Sequence, residues 1–493
     1  MRRRDDLPFG RIALVLSGGG ALGAYEVGVL RVLERAGIRP AILAGVSVGA
    51  VNAVLWLANG FRTDPLERIW ATLRPSSVGL HWVTLMVRAL GAFMGMLAAV
   101  QILLTIAGSP ELSPGMLMRA AAAERPDVVA TILDVLAWML VGLLGLVIIG
   151  GSRGAEDYLA WLARAHGPNR PHRWYGWLLG LWAVVHLVTW LAGWPWPHRF
   201  SASLLLVGTL LWVALRPGLT GDRLRRLFLR LLPETGGRGL WGSQARRRVI
   251  QRVVDQGDPA ALMSPETHLI ISACAVRSGQ MGYFVNWPDP SPHFRERIAD
   301  AIGAVMPLGS PDQVIEAAVA SSAIPVVFEP VPVVGQEFVD GGVFSNQPLH
   351  AVLADDADAI LVVLVSPSSG PPSAAKEPNL VELAARLLEI GNWRDLQAEL
   401  QHLPARWSRS PSAAGEPARV CVVEPDRVLP GGLYGFSPAN AAELRRRGEA
   451  DATQALAAAG WLAPETEGGA SDAAAETSSA TTPDADPPAT PHA

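Results

Sequence analysis

Ser47 stands in the run Gly45-Val46-Ser47-Val48-Gly49, with a glycine two residues before it and two after. That spacing is what a nucleophile elbow needs. A strand must turn into a helix so sharply that side chains at the flanking positions would collide, and the turn lifts the serine Oγ toward a substrate. Upstream, Gly18-Gly19-Gly20 with Gly23 fits Gly-x-Gly-x-x-Gly. Exposed N–H groups of such a loop suit a phosphate. They equally suit the oxyanion of a tetrahedral acyl intermediate. No acidic residue ends the second strand to hold a ribose; the chain enters the Ser47 turn there instead.

A serine nucleophile needs a base. Asp340, in Val339-Asp340-Gly341-Gly342, ends an apolar segment before two glycines that leave it unshielded. A carboxylate there could take the serine proton directly, and the same Asp-Gly pair could be a hairpin turn. His350 and His402 are the histidines a Ser-His-Asp triad could use. A further alternative is a membrane scaffold or transport protein carrying an inactive hydrolase-like domain.

These residues need elements to hold them. Arg11–Ser17 reads as a strand, a Gly-rich turn and helix follow, then Ala41–Ala44 as a strand, the Ser47 turn, and a helix over Ala50–Ala58. This βαβα order calls for a parallel sheet. His268–Val276, Ala359–Ser366 and Arg419–Val423 read as further buried strands, and residues 437–459 as an amphipathic helix.

Four blocks together resemble the patatin-like phospholipases: Ser17–Tyr25 (SGGGALGAY), Gly45–Ala53 (GVSVGAVNA), Ala320–Pro325 (ASSAIP) and Asp340-Gly341-Gly342, with Asn346 and Pro348 after the acid. The resemblance covers residues 11–60 and about 245–460. It implies a three-layer α/β/α fold and a Ser–Asp dyad acting on lipid acyl esters. By that resemblance Ser47 is the nucleophile, Asp340 the proton acceptor and Gly18, Gly19 and Gly20 the oxyanion hole. Gly23, Gly45, Gly49, Gly341 and Gly342 support the motifs. No metal or cofactor is implied. One departure is Leu22, where many members carry Arg or Lys.

The catalytic part is therefore expected in two pieces, residues 8–84 and 216–462, around a hydrophobic insertion at 85–215. Residues 89–107 carry no charge, 128–149 carry only Asp134, 174–193 carry none, and 198–215 form a shorter apolar stretch. About 20 apolar residues cross a bilayer core. Four helical spans are expected, an even number that returns both pieces to one side. The loop 150–173 holds Arg153, Arg164, Arg170 and Arg173, and residues 216–252 hold ten Arg against two acids. The outer loops hold fewer, so the catalytic side is cytoplasmic by the positive-inside rule. The other readings are buried helices of a large soluble cap and an apolar cap lying on the membrane.

Composition fits this division. Only 17% of the 493 residues are charged, against about 25% in an average soluble protein. Net charge is −4, and the segment 463–493 alone holds six acids and no Lys or Arg. Neither sign points to nucleic acid. That segment is rich in Ala, Thr, Ser and Pro and reads as a disordered tail. Two scattered cysteines, Cys274 and Cys421, form no disulfide scaffold or zinc spacing. No apolar stretch fit for a signal peptide precedes the first strand. The expected partner is membrane lipid, and the expected location a bacterial inner membrane crossed several times.

Overall fold

A computed structural model describes residue 3, residues 7–106, 135–149 without 137, 238–370 without 302, and 380–463 without 402, 404–406 and 413–414. The chain starts β1 (Ile12–Leu16), α1 (Gly23–Ala36), β2 (Ile42–Val46), α2 (Val48–Ala58), as the βαβα pattern requires. Next come α3 (Asp64–Trp70), α4 (Trp82–Ile106) and α5 (Trp138–Ile149). After the insertion come α6 (Gln244–Asp255), β3 (His268–Ala275), β4 (Met281–Val285), α7 (Pro292–Asp300), β5 (Gly303–Pro307) and α8 (Pro311–Ser321). The remainder is β6 (Val331–Val333), β7 (Gln336–Asp340), α9 (Leu349–Ala354), β8 (Ala359–Val363), α10 (Leu380–Gln401), β9 (Val420–Val423) and α11 (Pro438–Ala458).

One sheet runs β5-β4-β3-β2-β1-β8-β9. The five strands from β3 to β9 are parallel. The β4 and β5 strands run antiparallel to β3 at one edge. The central strands are buried on both faces, which is why they read as continuous apolar runs. Alternate residues feed two cores. Ile12, Leu14 and Leu16 face one with α1, α2, α6, α8 and α11. Ala13 and Val15 face the other with α7, α9 and α10. The result is the expected three-layer α/β/α sandwich. Cys274 and Cys421 are both buried and unbridged.

Within the insertion, the stretch Thr84–Leu103 of α4 is the one segment of the described residues long and apolar enough to cross a membrane. Only 22% of its most apolar window is buried. The α5 helix is apolar but shorter. The two helices pack through Leu97, Ala98 and Trp138. Gly91 and Gly145 meet backbone to backbone, where a Cβ on either would lie 2.5 Å from the other's carbonyl oxygen. Their outer faces expose Met86, Leu90, Leu103, Leu140, Leu146 and Val147. The expected spans 174–193 and 198–215, the first part of 128–149 and the tail from residue 464 lie outside the described residues.

Candidate active site

The site forms where β2 ends. β2 pairs with β3 as far as Val46, opposite Ser272. On the next rung of β3, Ala273 pairs instead with Asp340, the last residue of β7. Two strands thus meet end to end along the same side of β3, and Ser47, the residue after β2, touches Asp340, the last of β7. The Ser47 hydroxyl donates to Asp340 Oδ2 at 2.6 Å, and both side chains are buried.

Ser47 pays a conformational cost to be there. Its φ is 54° and ψ −126°, a region that costs a non-glycine residue about 1–3 kcal/mol. Neighbouring contacts hold the turn. The Ser47 N–H donates to Ser321 Oγ at 2.8 Å, and the Ser321 hydroxyl donates to the Ser272 carbonyl at 2.7 Å. The flanking glycines are steric necessities. A Cβ on Gly45 would lie 2.6 Å from the Ala50 nitrogen, and one on Gly49 would lie 2.4 Å from the Leu16 carbonyl oxygen.

Asp340 is held just as closely. Its Oδ1 accepts the Gly342 N–H at 2.8 Å, and its own N–H donates to the Ala323 carbonyl at 2.9 Å. Gly341 and Gly342 open a 3-10 turn, so Asp-Gly here caps that turn and is not the hairpin. The hairpin lies earlier, between β6 and β7. Burial pushes the Asp340 carboxyl up to about 6, against the lowering effects of the Ser47 and Gly342 hydrogen bonds and of the nearby Arg246 charge. A carboxylate with that value is ionised at neutral pH yet basic enough to share a proton.

The glycine loop lies beside them. The Gly18 N–H is engaged by the Asn346 carbonyl at 3.4 Å, and Asn346 Nδ2 donates back to the Gly18 carbonyl at 3.0 Å. Among the described residues the Gly19 and Gly20 N–H groups have no such partner. They are the two loop donors free to meet an oxyanion. Gly23 opens α1 against α2. His350 does not join the site: its Nε2–H donates to the Arg297 carbonyl at 2.7 Å, on the far layer. His402 lies outside the described residues.

Ser47 looks into an apolar pocket of about 90 Å³. Val51, Leu55, Ile69, Leu73, Ile250 and Phe328 line much of it, and Leu433, Tyr434 and Phe436 contribute from the loop before α11. One cation enters this lining, Arg246 of α6. It was read from sequence only as part of a basic stretch. Helical spacing marks it out: Arg246 lies four residues before Ile250 and seven before Val253, both buried, so it shares their inward face. Its neighbour Arg247 turns outward to pair with Glu316.

The family model for patatin-like phospholipases matches residues 14–353. Neuropathy target esterase sws of Drosophila sechellia is 46% identical over 48 residues, 10% of this chain and 3% of that protein. The Drosophila melanogaster protein of the same name is 49% identical over 45 residues, 9% of this chain and 3% of that protein. This chain therefore matches only a short stretch of those relatives. The crystal structure of VipD from Legionella pneumophila aligns over 92% of this chain and 67% of that one, at 12% identity and a TM-score of 0.34. With the family model spanning more than half of its residues, this chain belongs to the patatin-like phospholipase family.

Proposed function

We propose that the protein hydrolyses acyl esters of membrane phospholipids, lysophospholipids or related lipids through a Ser47–Asp340 dyad. The observation that carries this reading is the 2.6 Å hydrogen bond from Ser47 Oγ to Asp340 Oδ2, with no histidine between them. Ser47 Oγ attacks the ester carbonyl carbon while Asp340 takes its proton. The carbonyl oxygen becomes the oxyanion, and the Gly19 and Gly20 amides hold it. The tetrahedral intermediate collapses, the C–O bond to the alcohol breaks, and Asp340 returns the proton to the departing oxygen. A water then gives its proton to Asp340 and attacks the acyl-serine; the bond to Ser47 Oγ breaks, Asp340 returns the proton to Oγ, and the fatty acid leaves. The apolar pocket suits an acyl chain, which gains by leaving water.

The insertion belongs to the same proposal. Four spans would keep the catalytic domain on the cytoplasmic face of a bacterial inner membrane, where its substrate is concentrated. The exposed apolar faces of α4 and α5 support this.

A fluorophosphonate probe tests the nucleophile. It is expected to modify Ser47, located by peptide mass spectrometry, and to leave Ser47→Ala unmodified. Modification of a different serine would remove Ser47 from this role.

A further inference from the structure

Arg246 is buried, and its three guanidinium nitrogens have no hydrogen-bond partner among the described residues. Its guanidinium carbon lies 3.5 Å from the centre of the Phe328 ring, a cation–π contact that uses the flat face and leaves the N–H edge unspent. The carboxylates whose charges act on it, Asp340 and Glu329, make no hydrogen bond to it. Asp340 bonds to Ser47 and Gly342, and Glu329 Oε1 accepts from the Ser243 N–H at 3.0 Å and the Ser243 hydroxyl at 3.2 Å. Burial lowers the Arg246 guanidinium to about 9, so it is still cationic at neutral pH. An unpaired buried cation destabilises a fold unless something compensates it. This one lines the pocket into which Ser47 points.

A pocket with one cation and otherwise apolar walls fits an amphiphile carrying an oxyanion near its ester. We infer that Arg246 is the anion receptor of this pocket, binding the substrate's phosphate while Ser47 faces the neighbouring acyl ester. A guanidinium presents its N–H groups as a fork matching two phosphate oxygens. Phosphate and ester share one glycerol in a glycerophospholipid, so both reach a single small pocket. The fatty-acid carboxylate is the other oxyanion the reaction produces. It forms between Ser47 and the Gly19 and Gly20 amides, which already serve it. The inference rests on the Ser47–Asp340 reading for its chemistry and adds the residue that selects the substrate.

The test compares two substrates differing only by phosphate, 1-palmitoyl lysophosphatidic acid and 1-palmitoylglycerol, with the full-length enzyme in mixed micelles. The wild type is expected to prefer the phosphate-bearing ester. Arg246→Gln is expected to lower that kcat/KM ratio by about 10–100-fold, the scale of charge-assisted hydrogen bonds, chiefly through KM. Arg246→Lys, which keeps the charge, is expected to restore part of the preference. Equal losses on both substrates would mean that Arg246 acts through Asp340 or the pocket wall, and would overturn the inference. So would a wild type without preference. Dodecyl phosphate and dodecanoate separate the two sources of oxyanion. Arg246→Gln should weaken binding of the first by calorimetry, and weakening of the second alone would assign Arg246 to the product. The calorimetry needs no turnover, so it reads Arg246 even if hydrolysis fails, whereas full activity in Ser47→Ala would sink only the dyad.

Discussion

At the scale of single residues, buried acids set how this protein answers to pH. Asp340 must be ionised to accept the Ser47 proton, and its carboxyl titrates at about 6. The rate kcat/KM is therefore expected to rise about tenfold per pH unit below 6 and to level off above it. A flat profile from pH 5 to 8 would show that Asp340 is not the base. Glu26 offers a stability counterpart. It is buried, accepts from Asn52 Nδ2 at 2.7 Å, and desolvation lifts it to about 8 from an ordinary 4.5. A carboxyl raised by folding holds an extra proton in the native state between those values. Its contribution to stability is thus full below about pH 4.5 and falls as pH rises toward 8. Glu26→Gln is expected to raise Tm by several degrees at pH 8 and hardly at all at pH 4.5, read by thermal melts. The sharp turn at Ser47 and its flanking glycines were legible in the sequence because such a turn demands fixed local spacing, and Asp340 stood out through its place among the four resembling blocks. Arg246 was not, because three consecutive arginines look alike until a helix turns one of them inward. The glycine loop carries Leu22 and no cation, and the pocket's positive charge arrives from α6 instead.

At the scale of elements, the site depends on two strands ending on adjacent rungs of β3. The parallel strands were legible as apolar runs, since a sheet covered on both faces has no polar side. The β4–β7 strands were not. They lie toward one edge, are three to five residues long, and include a proline and a polar residue at exposed positions, Pro332 and Gln336. Short edge strands take their conformation from pairing more than from local propensity. The elbow itself makes a prediction at this scale. In Gly45→Ala the new methyl meets the backbone of Gly49 and Ala50. Overpacking of this kind costs about 1–3 kcal/mol. Urea unfolding is expected to show that loss, together with much slower probe modification of Ser47. Unchanged stability and labelling would show that the turn has room the geometry denies.

At the scale of the whole molecule, the sandwich carries two apolar helices, α4 and α5, between Ser47 and Asp340 in sequence. Hydropathy alone points to the rest of the expected insertion, which lies outside the described residues, because runs without charge stand out in any composition. The proposed four crossings rest on the arginine asymmetry and on the need for both halves of the sandwich to meet. The full-length protein is expected to stay with membranes through an alkaline carbonate wash and to need detergent for release. Release into the supernatant by carbonate alone would replace spans with a peripheral cap.

The most direct test of the dyad is the initial rate of fatty-acid release from a lysophospholipid by the wild type, Ser47→Ala and Asp340→Asn at pH 7.5. Both variants are expected to lose at least about 10³-fold in kcat, as when one member of a hydrolase's catalytic unit is removed, while melting like the wild type. Asp340→Asn retaining the wild-type rate, with Ser47→Ala inactive, would contradict direct proton transfer to Asp340.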